Sequence, residues 1–208
     1  MRRRQIGDAF SAHTVGALEE LIFESGTSSL MSAWDRAIAN QGGSGALVNY
    51  YDSFYRMSYD VIGELGFGQS FGILATGDTR IIDMFQELIR LKNVRSLTPF
   101  ASHMRWMFVR LNRAINALYG LAHDTVTRRK QYIDEFGSPP RTDVLQKLID
   151  ARDPTTGEKL DIHSLCSEIL LLLVAGTDTT SNTLTWTLMN LLHHPRVYER
   201  VTSEIRAA

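Results

Sequence analysis

The chain has 208 residues, 44% of them hydrophobic, and its 22 basic and 23 acidic side chains leave a formal net charge of −1. That size suits one or two domains with a real core, and so balanced a charge argues against a nucleic-acid-binding surface. No uninterrupted apolar run of about 18 residues suggests a transmembrane helix, and Met1-Arg2-Arg3-Arg4 lacks the apolar segment that makes a signal peptide.

Helical spacing dominates along the chain. Residues 2–10 read as the end of one helix, and Ser11 is a good N-cap for the next. Leu18, Leu21, Ile22, Leu30, Trp34 and Ile38 then recur at mostly helical intervals until Gln41-Gly42-Gly43-Ser44-Gly45, a flexible turn. Residues 50–65 read as another helix, closed by Gly66 and Gly68. That glycine cluster, with its G-x-G-x-x-x-G spacing and no preceding strand, is not a phosphate-binding loop. Ile81, Phe85, Leu88 and Ile89 mark a helix that ends near Leu97-Thr98-Pro99, where the proline disfavours helix at Thr98.

A longer helix is expected over residues 104–132. At its start Leu97, Phe100, Met104, Trp106, Met107 and Phe108 crowd together, and packing between two helices accounts for them on composition alone. Residues 141–151 form a short helix, and Asp153-Pro154-Thr155-Thr156-Gly157 a tight turn. Asp161 caps a central helix that runs to about His193, and Pro195 suits the first turn of the last one. The expected fold class is all-α. His193 and His194 are neighbours whose side chains diverge on a helix, and the other histidines lack ligand spacing, so no protein-only metal site is expected.

The central helix carries the most informative stretch. Its apolar run Ile169-Leu170-Leu171-Leu172-Leu173-Val174 leaves no solvent face and must be covered all round. It is followed at once by Ala175-Gly176-Thr177-Asp178-Thr179-Thr180, an acid and three hydroxyls. Helical register lets the Thr179 hydroxyl bond back to the Ala175 carbonyl. Gly176 weakens the helix by about 1 kcal/mol relative to alanine, and the two effects together would bend it and open a small groove. Asp178 beside such a groove could pass protons, and Thr179 could donate a hydrogen bond to whatever binds there. A buried helix whose hydroxyls serve only its own backbone is the alternative.

The six residues resemble the oxygen-binding motif A/G-G-x-D/E-T-T/S of the cytochrome P450 family. Ser181, Leu184, Trp186, Leu191-Leu192, His194-Pro195-Arg196-Val197 and Glu204-Ile205 are similar to that family's continuation into its next helix. Asp60-Val61-Ile62-Gly63 with Phe67-Gly68 and Phe71-Gly72 resembles a second segment, common in fungal members. Arg3-Arg4 with Ala9-Phe10-Ser11 resembles a third, and Arg141-Thr142-Asp143-Val144-Leu145 the R-x-D-x-L that precedes the central helix. Four segments in order spread the resemblance over the whole chain. It implies one partial domain, residues 1–208, from the third family helix through the helix after the central one.

Nothing in the sequence matches the family's F-x-x-G-x-x-x-C-x-G loop, whose cysteine holds the haem iron, or its later E-x-x-R pair. The chain is therefore expected to be an internal fragment, without the axial cysteine and by itself inactive. Cys166 precedes Thr179 by 13 residues, roughly 20 Å along one helix, and is read as an ordinary buried thiol.

For the intact protein the resemblance implies haem b, dioxygen, a small apolar organic substrate and an NADPH-dependent reductase. The reaction it implies is insertion of one oxygen atom. Thr179 would donate a hydrogen bond at the oxygen position and Asp178 would relay protons. Ala175 and Gly176 would line the haem face, and Arg3 would pair with a haem propionate, a solvated basic cluster being the other reading of Arg3. The apolar region after residue 97 would roof the substrate pocket, and membrane association is implied for a eukaryotic member. The competing reading is a non-catalytic helical ligand-binding or interaction module on the same fold.

Overall fold

The computed structural model describes residues 6–43, 45–97, 105–137, 139 and 142–207, without the side chains of residues 95–108. A short 3-10 turn, Gly7–Phe10, leads into α1 (Ala12–Ala17). Ser11 caps α1 as expected: its side chain accepts from the Thr14 amide at 3.2 Å. The expected single helix beyond it is broken in three. α2 (Glu19–Ile22) passes through a π-helical stretch, Phe23–Ser28, into α3 (Ser29–Asn40). Inside that stretch Gly26 is buried, and a Cβ there would sit 2.9 Å from Val61. The wider turn thus brings glycine backbone against the neighbouring helix, which hydrophobic spacing does not reveal.

α4 (Tyr50–Phe67) is capped by Asn49 and ends at Gly68, which takes a positive φ of 72°. The short α5 (Ile73–Thr76) follows, then α6 (Arg80–Leu97), α7 (Arg105–Phe136), α8 (Val144–Asp150), α9 (Ile162–His193) and α10 (Pro195–Ala207). Thr98 and Pro99, where the sixth helix was expected to break, lie outside the described residues, as do Arg2, Arg3, Arg4 and Arg141. The only pairing of extended backbone among the described residues is an isolated bridge between Arg152 and Lys159. It closes the 153–157 turn, where Asp153 accepts from the Thr155 and Thr156 amides. The fold is all-α.

Two of the sequence segments turn out to be structural devices. Asp60 is buried and accepts from the amides of Ile73 and Leu74, both at 2.9 Å, so it starts α5 from within α4. A Cβ on Gly63 would lie 2.8 Å from the Gln69 carbonyl, so the chain can fold back there only over glycine. Asp143, 1% exposed, caps α8 through the Gln146 amide at 2.8 Å and pairs with Arg129 of α7 at 2.6 Å. Desolvated charges persist only when paired and hydrogen-bonded like this.

α9 is the axis of the bundle. It packs chiefly on α4 and also on α7. Leu165, Cys166, Ile169, Leu173, Thr177 and Ser181 form its buried side. Two glycines bring α9 and α4 together: a Cβ on Gly66 would meet Leu172 at 2.8 Å, and one on Gly176 would meet Ile62 at 2.5 Å. Gly66 therefore lies within α4 as a contact residue, whereas the sequence suggested a helix end. By length and composition alone α9 could cross a membrane, one 18-residue window of it having a mean hydropathy of 1.3, although it carries no uninterrupted apolar run of that length. Its packing against α4 and α7 identifies it as the core helix of this bundle.

Candidate functional site

Asp161 starts α9, its carboxylate accepting from the Ser164 amide at 2.9 Å and the Ser164 hydroxyl at 2.8 Å. From there the helix is unbroken to His193. The hydroxyls in its middle are returned to its own backbone. Thr177 Oγ1 donates to the Leu173 carbonyl at 2.8 Å, and Thr179 Oγ1 to the Ala175 carbonyl at 2.7 Å. Thr183 and Thr185 do the same one turn later.

Thr177 and Thr179 are nevertheless in opposite settings. Two residues apart, they stand on opposite sides of the helix; Thr177 is wholly buried, and Thr179 is exposed together with Ala175. The exposed strip also carries Leu171, 57% exposed, and Val174, 38% exposed. Such a face presents a methyl, a short hydroxyl and aliphatic side chains, which suits a flat apolar group. Ala175 and Thr179, expected from the sequence at a haem face, both lie on this strip. Gly176 packs against α4: the space a side chain would take is filled by Ile62. The need for close helix contact accounts for glycine here.

Asp178, adjacent to Thr179, lines a cavity of about 680 Å3 between α4, α6 and α9. Its other walls include Tyr51, Tyr55, Phe85, Gln86 and Arg90. The structure therefore puts the acid and the threonine next to each other but gives them different surroundings, a cavity for one and an open face for the other. Spacing alone could have drawn attention to the tyrosines. Tyr51, Tyr55 and Tyr59 follow one another at intervals of four, one stripe of a helix.

Tyr55 and Tyr59 both have hydroxyls held above the ordinary tyrosine range, first because burial disfavours the charged form; the Asp178 charge adds to this in both, while Tyr55 raises Tyr59 and Tyr59 partly offsets the rise at Tyr55. Cys166 is wholly buried, and burial pushes its thiol up as well. That is the environment of an inert core thiol. Arg3, the remaining expected site residue, lies outside the described residues.

Comparison with known proteins bears on the family and the fold. A family model described as Cytochrome P450 matches residues 2–208. Cytochrome P450 monooxygenase helB1 of Aspergillus fumigatus is 31% identical over 100% of this chain and 36% of its own length. Cytochrome P450 monooxygenase acrD of Aspergillus aculeatus is 26% identical over 98% of this chain and 39% of its own. The crystal structure of the cytochrome P450DA heme domain superposes with a TM-score of 0.81 at 24% identity, covering 95% of this chain and 40% of that one. At that identity the superposition speaks for the fold alone. The chain spans well under half the length of these relatives. With the family model matched from residue 2 to residue 208, the chain belongs to the cytochrome P450 family of haem monooxygenases.

Proposed function

We propose that this chain supplies the oxygen-handling helix of a monooxygenase that inserts one atom of dioxygen into a small apolar organic substrate. The observation that carries the reading is the exposed Ala175–Thr179 face, with Asp178 at the adjoining cavity. Haem b, when bound, supplies the redox chemistry that activates dioxygen. Ala175 and Thr179 would form part of the face toward it, where a larger side chain would take up space. The Thr179 hydroxyl proton rests on the Ala175 carbonyl. Rotation about the Cα–Cβ bond releases it to donate a hydrogen bond outward, at the cost of one neutral hydrogen bond. Asp178, in contact with cavity solvent, holds and exchanges protons one residue away.

Electrons come from an NADPH-dependent reductase, as a separate partner. A relative from Aspergillus niger, 29% identical over 80% of this chain, is named a self-sufficient cytochrome P450 monooxygenase. A fused arrangement is thus the outcome to distinguish. A eukaryotic member of fungal type would work at the cytosolic face of the endoplasmic reticulum membrane.

The test is Thr179→Ala in the full-length protein that carries this segment. Haem content and substrate binding should be kept, while reducing equivalents are diverted to peroxide. Loss of one positioned hydrogen bond at a reacting centre lowers the productive step on the order of a hundredfold. Product formed per NADPH equal to that of the unaltered protein would overturn the role of Thr179.

A further inference from the structure

The cavity between α4, α6 and α9 carries an acid and a base that do not meet. Asp178 lines it from α9 and Arg90 from α6. Both residues are exposed, and no ion pair with a described residue holds either of them. Nearby the chain does join such groups: Arg110 of α7 pairs with Glu87 of α6, and Arg129 with Asp143.

The wall supplied by α4 is aromatic. Tyr51 and Tyr55 line it with their rings 14° from parallel and 6.1 Å apart between centroids. Tyr51 is 47% exposed, so part of its ring is open to an occupant. Tyr55 and Phe85, at 9% and 2%, are held in place by the bundle around them. The volume of about 680 Å3 falls within the range of small-molecule sites, roughly 300–1,000 Å3.

The two charges narrow the choice of occupant. Any molecule that fills the cavity takes water from both, and a desolvated charge is costly unless it is paired. A neutral occupant would leave both without a partner. A simple anion would suit Arg90 and be repelled by Asp178, and a simple cation the reverse. A molecule with a carboxylate at one end and an ammonium at the other satisfies both. The guanidinium of Arg90 offers a planar fork of donors to a carboxylate. Asp178 accepts from an ammonium, and a tyrosine ring face attracts the same cation.

We infer that this cavity is a binding site for a zwitterion of the amino-acid or short-peptide type, its carboxylate at Arg90, its ammonium at Asp178 and its apolar side chain against Tyr51. The site needs Asp178 only as a negative charge, so it stands or falls apart from the oxygen-handling role proposed for Thr179.

Isothermal titration calorimetry on the full-length protein that carries this segment tests it. The probes are phenylalanine, the dipeptide phenylalanyl-leucine, and that dipeptide either acetylated at its N-terminus or amidated at its C-terminus. The free dipeptide is expected to bind, and loss of either terminal charge to weaken it about tenfold. Arg90→Gln should weaken the free dipeptide by a similar factor and abolish its advantage over the amide. Asp178→Asn should instead abolish its advantage over the acetylated form. Both substitutions fall on exposed side chains, and unchanged melting temperatures check that folding is kept. Phenylalanine binding with the same pattern assigns the site to free amino acids; binding of the dipeptide alone assigns it to peptides.

Absence of binding by both free zwitterions overturns the inference. So does an affinity indifferent to Arg90→Gln, which would put the ligand elsewhere on the protein. An effect of Arg90→Gln without one of Asp178→Asn also overturns it, because a simple anion would then suffice. Whether or not Thr179→Ala uncouples the reaction, these affinities stay as they are.

Discussion

The two sides of α9 have almost the same chemistry and opposite fates. On one side Cys166, Ile169, Leu173 and Thr177 are 0% exposed, enclosed with α4 and α7. On the other Leu171, Ala175, Thr179 and Trp186 are open, Trp186 at 59%. The exposure continues to the end of α9, with Leu192 at 58%, and into α10, with Val197 at 51% and Ile205 at 71%. Both sides mix aliphatic side chains with threonine, and both return their threonine hydroxyls to the backbone. What differs is whether this chain covers them. The buried side holds the bundle together, and the open side is left uncovered by the described residues.

The comparison has its largest consequence for the isolated chain. An apolar face with this much exposure should drive the 208-residue polypeptide to self-associate. Burying even a few hundred Å2 of it is worth several kcal/mol at about 25 cal/mol per Å2. Light scattering on a sizing column is expected to show oligomers, and Trp186→Glu combined with Ile205→Glu to reduce them. A monodisperse monomer would show that the open side tolerates water.

On the closed side the largest single loss is expected at the Arg129–Asp143 pair. Asp143 is buried and Arg129 nearly so, with its side chain 14% exposed. Arg129→Met leaves the carboxylate without its counter-ion and should lower stability by about 3–5 kcal/mol. Denaturant unfolding at fixed protein concentration measures it. A loss below about 1 kcal/mol would mean that water reaches this pair.

Gly176→Ala comes next. Its new Cβ would meet Ile62 Cδ1 at 2.5 Å, and overpacking of this kind costs about 1–3 kcal/mol. Ile62→Val in the same chain should recover part of the loss, since contacting residues do not act additively. Full additivity of the two changes would place Gly176 away from α4.

These two sites also show what sequence makes legible. The central helix, its Asp161 cap, the Ser11 cap and the Asp153–Gly157 turn were readable because each depends on residues close in sequence. Hydrophobic spacing located the other helices for the same reason. The π-helical stretch was not readable, because Gly26 is set by its contact with Val61, far along the chain. Nor was the purpose of Gly66 and Gly176. A glycine inside a helix weakens it whether it serves a bend, a ligand or a neighbour, and only the third dimension distinguishes them. Of the candidate site, Asp178 and Thr179 stood out as polar residues beside an apolar run. Tyr55 and Tyr59 lie over a hundred residues earlier, and nothing local ties them to Asp178.

The sulfur on the closed side gives a result expected to be negative. Cys166 is enclosed, against Tyr119 and with its thiol pushed up by burial. Titration of the 208-residue chain with haemin, followed by reduction and carbon monoxide, should give no strongly red-shifted Soret band of thiolate ligation. Its appearance, and its loss in Cys166→Ala, would make Cys166 a ligand and reverse the assignment of the two sides.

The smallest expected effect lies at the start of α9, where both sides begin. Hydrogen bonds from the Ser164 amide and then the Ser164 hydroxyl hold the Asp161 carboxyl below its ordinary value of 3.8. The folded state thus prefers the charged form. The stabilisation is fully present above that ordinary value and is lost as pH falls through the lower, folded one. Asp161→Asn keeps a capping oxygen for the Ser164 amide but removes the negative charge from the helix N-terminus. At pH 7 the variant should melt slightly below the unaltered chain. Below about pH 4 the difference should shrink as the aspartate becomes protonated and the two caps become alike. Melting temperatures recorded for both proteins from about pH 2 to 7 decide it. A difference that stays constant over that range would show that cap geometry, and not charge, anchors the helix from which both sides are built.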